Sequence, residues 1–189
     1  EFPWPGARCG WIEIYNKNKD EIFARYIKNV FDAKMMEVCS TTLPQSVIPE
    51  IMSDIRYKKH IKDKNNFYKK RAELAYNILK KVSGIIATKP SGAFYMPVVF
   101  SAGILNGNQK LKINNKKVKN FIEQKKHNGL VPPDKRFVYY LLGATGICVV
   151  PLSGFNCDLP GFRATLLETD DQKFKWIYQT LAEKITEYL

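Results

Sequence analysis

The spacing of apolar residues changes at Gly84, and this change constrains the possible folds more than any other feature of the chain. From Asp20 to Glu37, the residues Ile22, Phe23, Tyr26, Ile27, Val30, Phe31, Met35 and Met36 recur at helical intervals. Thr41-Thr42-Leu43-Pro44 breaks that pattern, and a second helix is predicted from Pro44 to Ile55, with Pro44 tolerated near its start. A longer helix is predicted from Asp63 to Val82, with Asp63 as its cap and Phe67, Ala72, Leu74, Ala75, Ile78, Leu79 and Val82 on the buried stripe. Beyond Gly84 the segments shorten and alternate. Strands are predicted at Ile85–Thr88, Ala93–Phe100, Ile147–Pro151 and Phe162–Leu167. Helices are predicted at Val118–His127, ending near Gly129, at Asp134–Leu142 and at Gln172–Tyr188, and a polar loop spans Gly103–Asn115. Such alternation specifies an α/β or α+β arrangement, with a domain boundary expected between Ser83 and Gly84. The two expected domains are 1–83 and 84–189.

Composition narrows the function classes. A chain of 189 residues that is 45% hydrophobic can bury one or two cores. No run of about 18 apolar residues is present, and no charged-then-apolar leader opens the chain, so a cytoplasmic protein with no membrane partner is expected. Cys9, Cys39, Cys148 and Cys157 have neither zinc-ligand nor disulfide-framework spacing, and no metal is expected. The net charge of +12 is concentrated in Tyr57–Arg71 and Lys110–Lys126. These lysines alternate with Asn and Gln and carry few aromatics for base stacking, which describes a solvated helix face and no nucleic-acid partner.

Two short segments carry chemistry. Pro5-Gly6-Ala7-Arg8-Cys9-Gly10-Trp11 is a glycine-rich turn leading into Ile12-Glu13-Ile14-Tyr15, whose alternation predicts a strand. A guanidinium on a short Gly-bounded turn can grip a phosphate through two parallel N–H donors, a geometry that lysine lacks. Arg8 is therefore a candidate phosphate ligand. The other segment is Gly161-Phe162-Arg163, which places an arginine on a predicted strand.

The opening turn resembles the P-G-x-R-x-G segment of fold-type-I pyridoxal-phosphate aminotransferases of the aspartate, tyrosine and alanine type. Lys89-Pro90-Ser91-Gly92-Ala93-Phe94-Tyr95 is similar to the segment that opens their small domain. Pro133-Asp134, Phe137, Leu141-Leu142, Thr145-Gly146-Ile147-Cys148-Val149-Val150-Pro151 and Ser153-Gly154-Phe155 follow in the order of the alanine-aminotransferase pattern. Leu152 departs from it, standing where relatives commonly have Gly, so the local loop is expected to differ. The resemblance implies the C-terminal part of the large cofactor domain followed by an α+β small domain. It also implies pyridoxal 5'-phosphate as cofactor, amino acid and 2-oxo acid substrates, and a homodimer. Arg8 would then bind the cofactor phosphate and Arg163 the substrate α-carboxylate. The Schiff-base lysine is expected immediately before Glu1, so this segment alone should be inactive. Lyases and decarboxylases share the fold, and a noncatalytic ligand-binding regulator of the same architecture is a further alternative.

Overall fold

The computed structural model describes residues 5–39, 41–127 and 131–189. Gly129, the expected helix stop, and Glu1, which the lysine is expected to precede, fall outside them. The chain forms two compact units, Glu1–Asp63 and Lys64–Leu189.

The first unit holds a 3-10 turn at Pro5–Ala7, helix α1 (Glu21–Met35), helix α2 (Thr42–Ser53) and the beginning of α3 (Tyr57–Leu79). Helix α1 starts where Asp20 accepts the Phe23 N–H at 2.7 Å, and Lys28 pairs with Asp32 one turn apart on its surface. Two expectations are corrected here. Residues 11–16 form no strand among the described residues, because alternation supplies only a face and a ladder needs a partner strand. Asp63 does not cap α3. It lies inside the helix, paired with Lys59 at 2.8 Å, while Asp54 organises the entry by accepting the Arg56 N–H at 2.7 Å. The Arg56 guanidinium holds the Asp54 carboxyl down to about 2.

The second unit is built on a four-stranded antiparallel sheet ordered β1 (Ile85–Ala87), β2 (Tyr95–Phe100), β4 (Gly161–Thr165) and β3 (Val150–Pro151). Alternation places Met96, Val98, Phe100, Phe162 and Ala164 on one face, all buried. Helices α5 (Pro133–Thr145) and α6 (Asp171–Tyr188) supply Phe137, Leu141, Tyr178, Leu181, Ile185 and Tyr188 to the same core. Phe137 packs edge-on against Phe100 and Tyr188, each at 5.1 Å between ring centres. Each fully buried ring contributes on the order of 1.5–3 kcal/mol by leaving water. Helix α4 (Lys116–His127) is tied to α5 by the Tyr140 hydroxyl, which donates to Glu123. The opposite sheet face carries Tyr95, Pro97, Val99, Arg163 and Thr165, none of them buried.

Candidate functional site

Arg163 occupies the middle of β4, opposite Pro97 on β2 and Val150 on β3. The bonds Leu166 N–H to Phe94 O and Phe100 N–H to Pro160 O mark every second pair along β2 and β4 as hydrogen-bonded. Pro97 and Arg163 therefore meet at a non-hydrogen-bonded pair, where strands approach most closely and proline's missing N–H costs the ladder nothing. Tyr95 lies two residues from Pro97 on the same face, diagonal to Arg163. Its ring centre is 4.1 Å from the Arg163 Cζ. Phe155, on the 3-10 turn Leu152–Phe155 that follows β3, brings its ring to 4.4 Å from the same carbon. The Arg163 Nε is buried and has no hydrogen-bond partner, and no carboxylate or carbonyl among the described residues pairs with the guanidinium. A cation flanked by π-faces and lacking an anion in its own plane is arranged to receive one from outside.

A buried carboxylate sets the turn that carries Phe155. Asp134, 1% exposed, stands in the first turn of α5 behind Pro132-Pro133. One of its oxygens accepts the Lys135 N–H at 2.7 Å and the other accepts the Ser153 N–H at 2.8 Å. It thus satisfies a free donor at the helix start and pins the following turn at once. Leu152, the residue that departs from the resembling pattern, opens this turn and packs its side chain over the bare Cα of Gly161.

Arg71 makes a useful contrast. It is 4% exposed and also flanked by two rings, Phe67 at 4.3 Å and Phe174 at 4.5 Å. Its Nη2, however, donates to Thr169 O at 2.9 Å and to Asp171 at 2.7 Å. Arg71 ties α3 to the start of α6 through Nη2, while its Nε and Nη1 are buried without a partner, so what sets Arg163 apart is that none of its nitrogens meets an acceptor among the described residues. A cleft of about 500 Å³ between Thr145–Val149, the end of β4 and α6 does not include Arg163, and Lys173 on its wall is paired with Glu168 at 2.7 Å.

Arg8 belongs to the first unit, exposed and directly after the Pro5–Ala7 turn, with a left-handed φ of 50°. A residue with a Cβ avoids that region, and strained positions of this kind concentrate at ligand clamps. A Cβ added at Gly6 or Gly10 would meet nothing within 4 Å, so neither flanking glycine is required by close packing among the described residues. Arg8 and Arg163 are the candidates that the sequence offers, and the structure places them in separate units; Tyr95, Asp134 and Phe155 lie inside the matching motifs without a role assigned there. The signal available for Asp134 was an acidic residue in the first turn after Pro-Pro.

Comparison with known proteins gives a consistent result. The family described as aminotransferase class I and II matches residues 1–177. An uncharacterized aminotransferase of Methanocaldococcus jannaschii is 58% identical over all 189 residues, which span 43% of its length. A probable mitochondrial alanine aminotransferase of Dictyostelium discoideum is 27% identical over 88% of this chain and 29% of its own. Among solved structures, a kynurenine aminotransferase of Pyrococcus horikoshii in complex with PMP superposes with a TM-score of 0.54 at 21% identity, over 84% of this chain and 33% of that one. The chain thus spans less than half the length of each of these proteins.

Proposed function

This chain belongs to the class I and II aminotransferases, and we propose that it is the C-terminal part of a pyridoxal-phosphate enzyme that moves an amino group from an amino acid to a 2-oxo acid. Residues up to about Ser83 complete the cofactor domain, and the remainder forms the small domain. The observation that carries the reading is Arg163: a ring-flanked guanidinium with a dehydrated, unpartnered Nε on the open face of the sheet. Its planar fork matches a carboxylate, and two parallel bonds fix both the position and the rotation of the amino acid. Every amino-acid donor and 2-oxo acceptor carries that carboxylate, so one residue serves both halves of the exchange. Fixing the carboxylate also fixes the direction of the Cα–H bond, and orientation is a large part of catalysis in such sites.

Pyridoxal phosphate, when bound, supplies an electron sink for the bond broken at the α-carbon. Arg8, on its strained, glycine-flanked turn, is the residue that would hold the phosphate of that group through its planar fork. Within this reading Arg8 and Arg163 bind and orient, one at each end of the reacting pair. Trp11, Ile12, Tyr15, Met35 and Met36 are exposed apolar residues of the first unit, a surface that the rest of the full-length protein and a two-fold partner would cover between them.

The test is Arg163→Lys in the full-length protein. The charge is kept and the fork is lost, so kcat/KM should fall about tenfold or more, and by a similar factor for alanine, aspartate and tyrosine as donors. A defect confined to acidic donors would make Arg163 a side-chain selector. Release of carbon dioxide or free ammonia, in place of amino transfer to the oxo acid, would move the protein to the decarboxylases or lyases of the same fold.

A further inference from the structure

The structure shows what holds Arg163. We infer that Tyr95 and Phe155 are positioning residues, whose rings fix the plane of the Arg163 guanidinium, and that Asp134 anchors the turn presenting Phe155. The inference rests on the carboxylate reading of Arg163 given above.

Arg163 has no hydrogen-bonded partner to define its rotamer, and its buried Nε is unsatisfied. An arginine in that condition would ordinarily sample several conformations. What restricts this one are the two rings, 4.1 and 4.4 Å from its Cζ. Contact with a ring face leaves the in-plane N–H groups free while fixing the plane in which they point. Neither ring is needed for the core, since Tyr95 is 39% exposed and Phe155 47% exposed. Large aromatics left at the surface beside an unpaired cation are explained by what they do to the cation.

The two rings are held in different ways. Tyr95 is fixed by the β2–β4 register, two positions from Pro97. Phe155 is on a turn that no strand ladder holds, and the Ser153 N–H donated to the buried Asp134 is the bond that ties it to α5. Arg71 supplies the internal control: it too has two flanking rings and a buried, unpartnered Nε, but its Nη2 has acceptors at 2.7 and 2.9 Å, and there the guanidinium joins two elements. At Arg163 the rings are kept and the acceptors are missing, so the donor edge is available to a ligand.

The experiment titrates propionate and propionamide, its uncharged isostere, into the full-length cofactor-loaded protein by calorimetry. The parent protein should prefer propionate. Phe155→Leu and Tyr95→Leu should each reduce that preference about three- to tenfold, the range expected for losing one ring from a partly dehydrated cation. Phe155→Trp and Tyr95→Phe restore a ring and should bring the preference back to within about twofold. A preference that survives both leucine variants overturns the inference and leaves the carboxylate role of Arg163 standing. If the parent shows no preference, or Arg163→Lys leaves it unchanged, the carboxylate role falls and this inference falls with it. Because the ratio compares two ligands on one protein, a general loss of folded material does not mimic the expected result.

Discussion

Gly161→Ala tests whether the close approach of β2 and β4 carries the site. A Cβ built at Gly161 lies 2.4 Å from the Val98 carbonyl oxygen, 2.8 Å from Leu152 Cδ1 and 3.1 Å from Val99 Cα. The first distance is about 1 Å short of relaxed van der Waals contact. Leu152 can rotate away. The carbonyl cannot, because Val98 is paired with Ala87 on one side and with Phe162 on the other. Relief requires β4 to shift, weakening one or two ladder bonds at about 0.5–1.5 kcal/mol each. Overpacking strain adds about 1–3 kcal/mol, so a loss of roughly 2–4 kcal/mol is expected. In urea, with an m-value of about 2 kcal/mol per molar, the midpoint should fall by about 1–2 M. Gly154→Ala is the matched control: nothing lies within 4 Å of its Cβ, and its midpoint should hardly move. Since Arg163 is two residues along the same strand, the shift should also weaken the preference for propionate over propionamide. A Gly161→Ala midpoint within about 0.25 M of the parent would refute the packing argument.

Asp134→Ala removes the acceptor for two N–H groups, at 2.7 and 2.8 Å, from a buried position. The loss should be about 2–4 kcal/mol by the same unfolding measurement, and a change under about 0.5 kcal/mol would show that the turn is held by something else. Arg71→Lys keeps the charge but gives up stacking on Phe67 and Phe174, and should cost about 1–3 kcal/mol, with an unchanged midpoint counting against it. A pH experiment addresses Glu123, whose carboxyl is held below its ordinary value of 4.5 chiefly by the hydrogen bond from Tyr140. A carboxyl depressed in the folded state contributes stability that is present above about pH 4.5 and lost as pH falls through the folded value. In Tyr140→Phe the Glu123 carboxyl should titrate closer to 4.5 by NMR, and the acid-side loss of stability should shrink. An unchanged titration would remove Tyr140 as the cause.

How legible each part was depends on how far apart in the chain its cause lies. Helix α6 is expected from Gln172 and observed from Asp171, ending at Tyr188 in both, because a 3.6-residue period and an Asp170 cap are local properties. Ile85, the Ala93–Phe100 run and Phe162 likewise reveal strands through alternation of side chains a few residues apart. Ile12–Tyr15 shows the limit of that signal. It has the pattern of a strand, but pairing depends on a neighbour that the pattern does not name. The same limit hid the surroundings of Arg163. The arginine itself was found from the chain order of the motifs, but Tyr95 is 68 positions upstream and Phe155 is on a separate turn, and only the β2–β4 register and the Asp134–Ser153 bond bring their rings to the guanidinium. Periodicity and caps act within one helix or strand and can be read from the residues alone. The dehydration of a cation, the rings beside it and the room beside a glycine arise where separate elements meet, and those were decided by the packed structure.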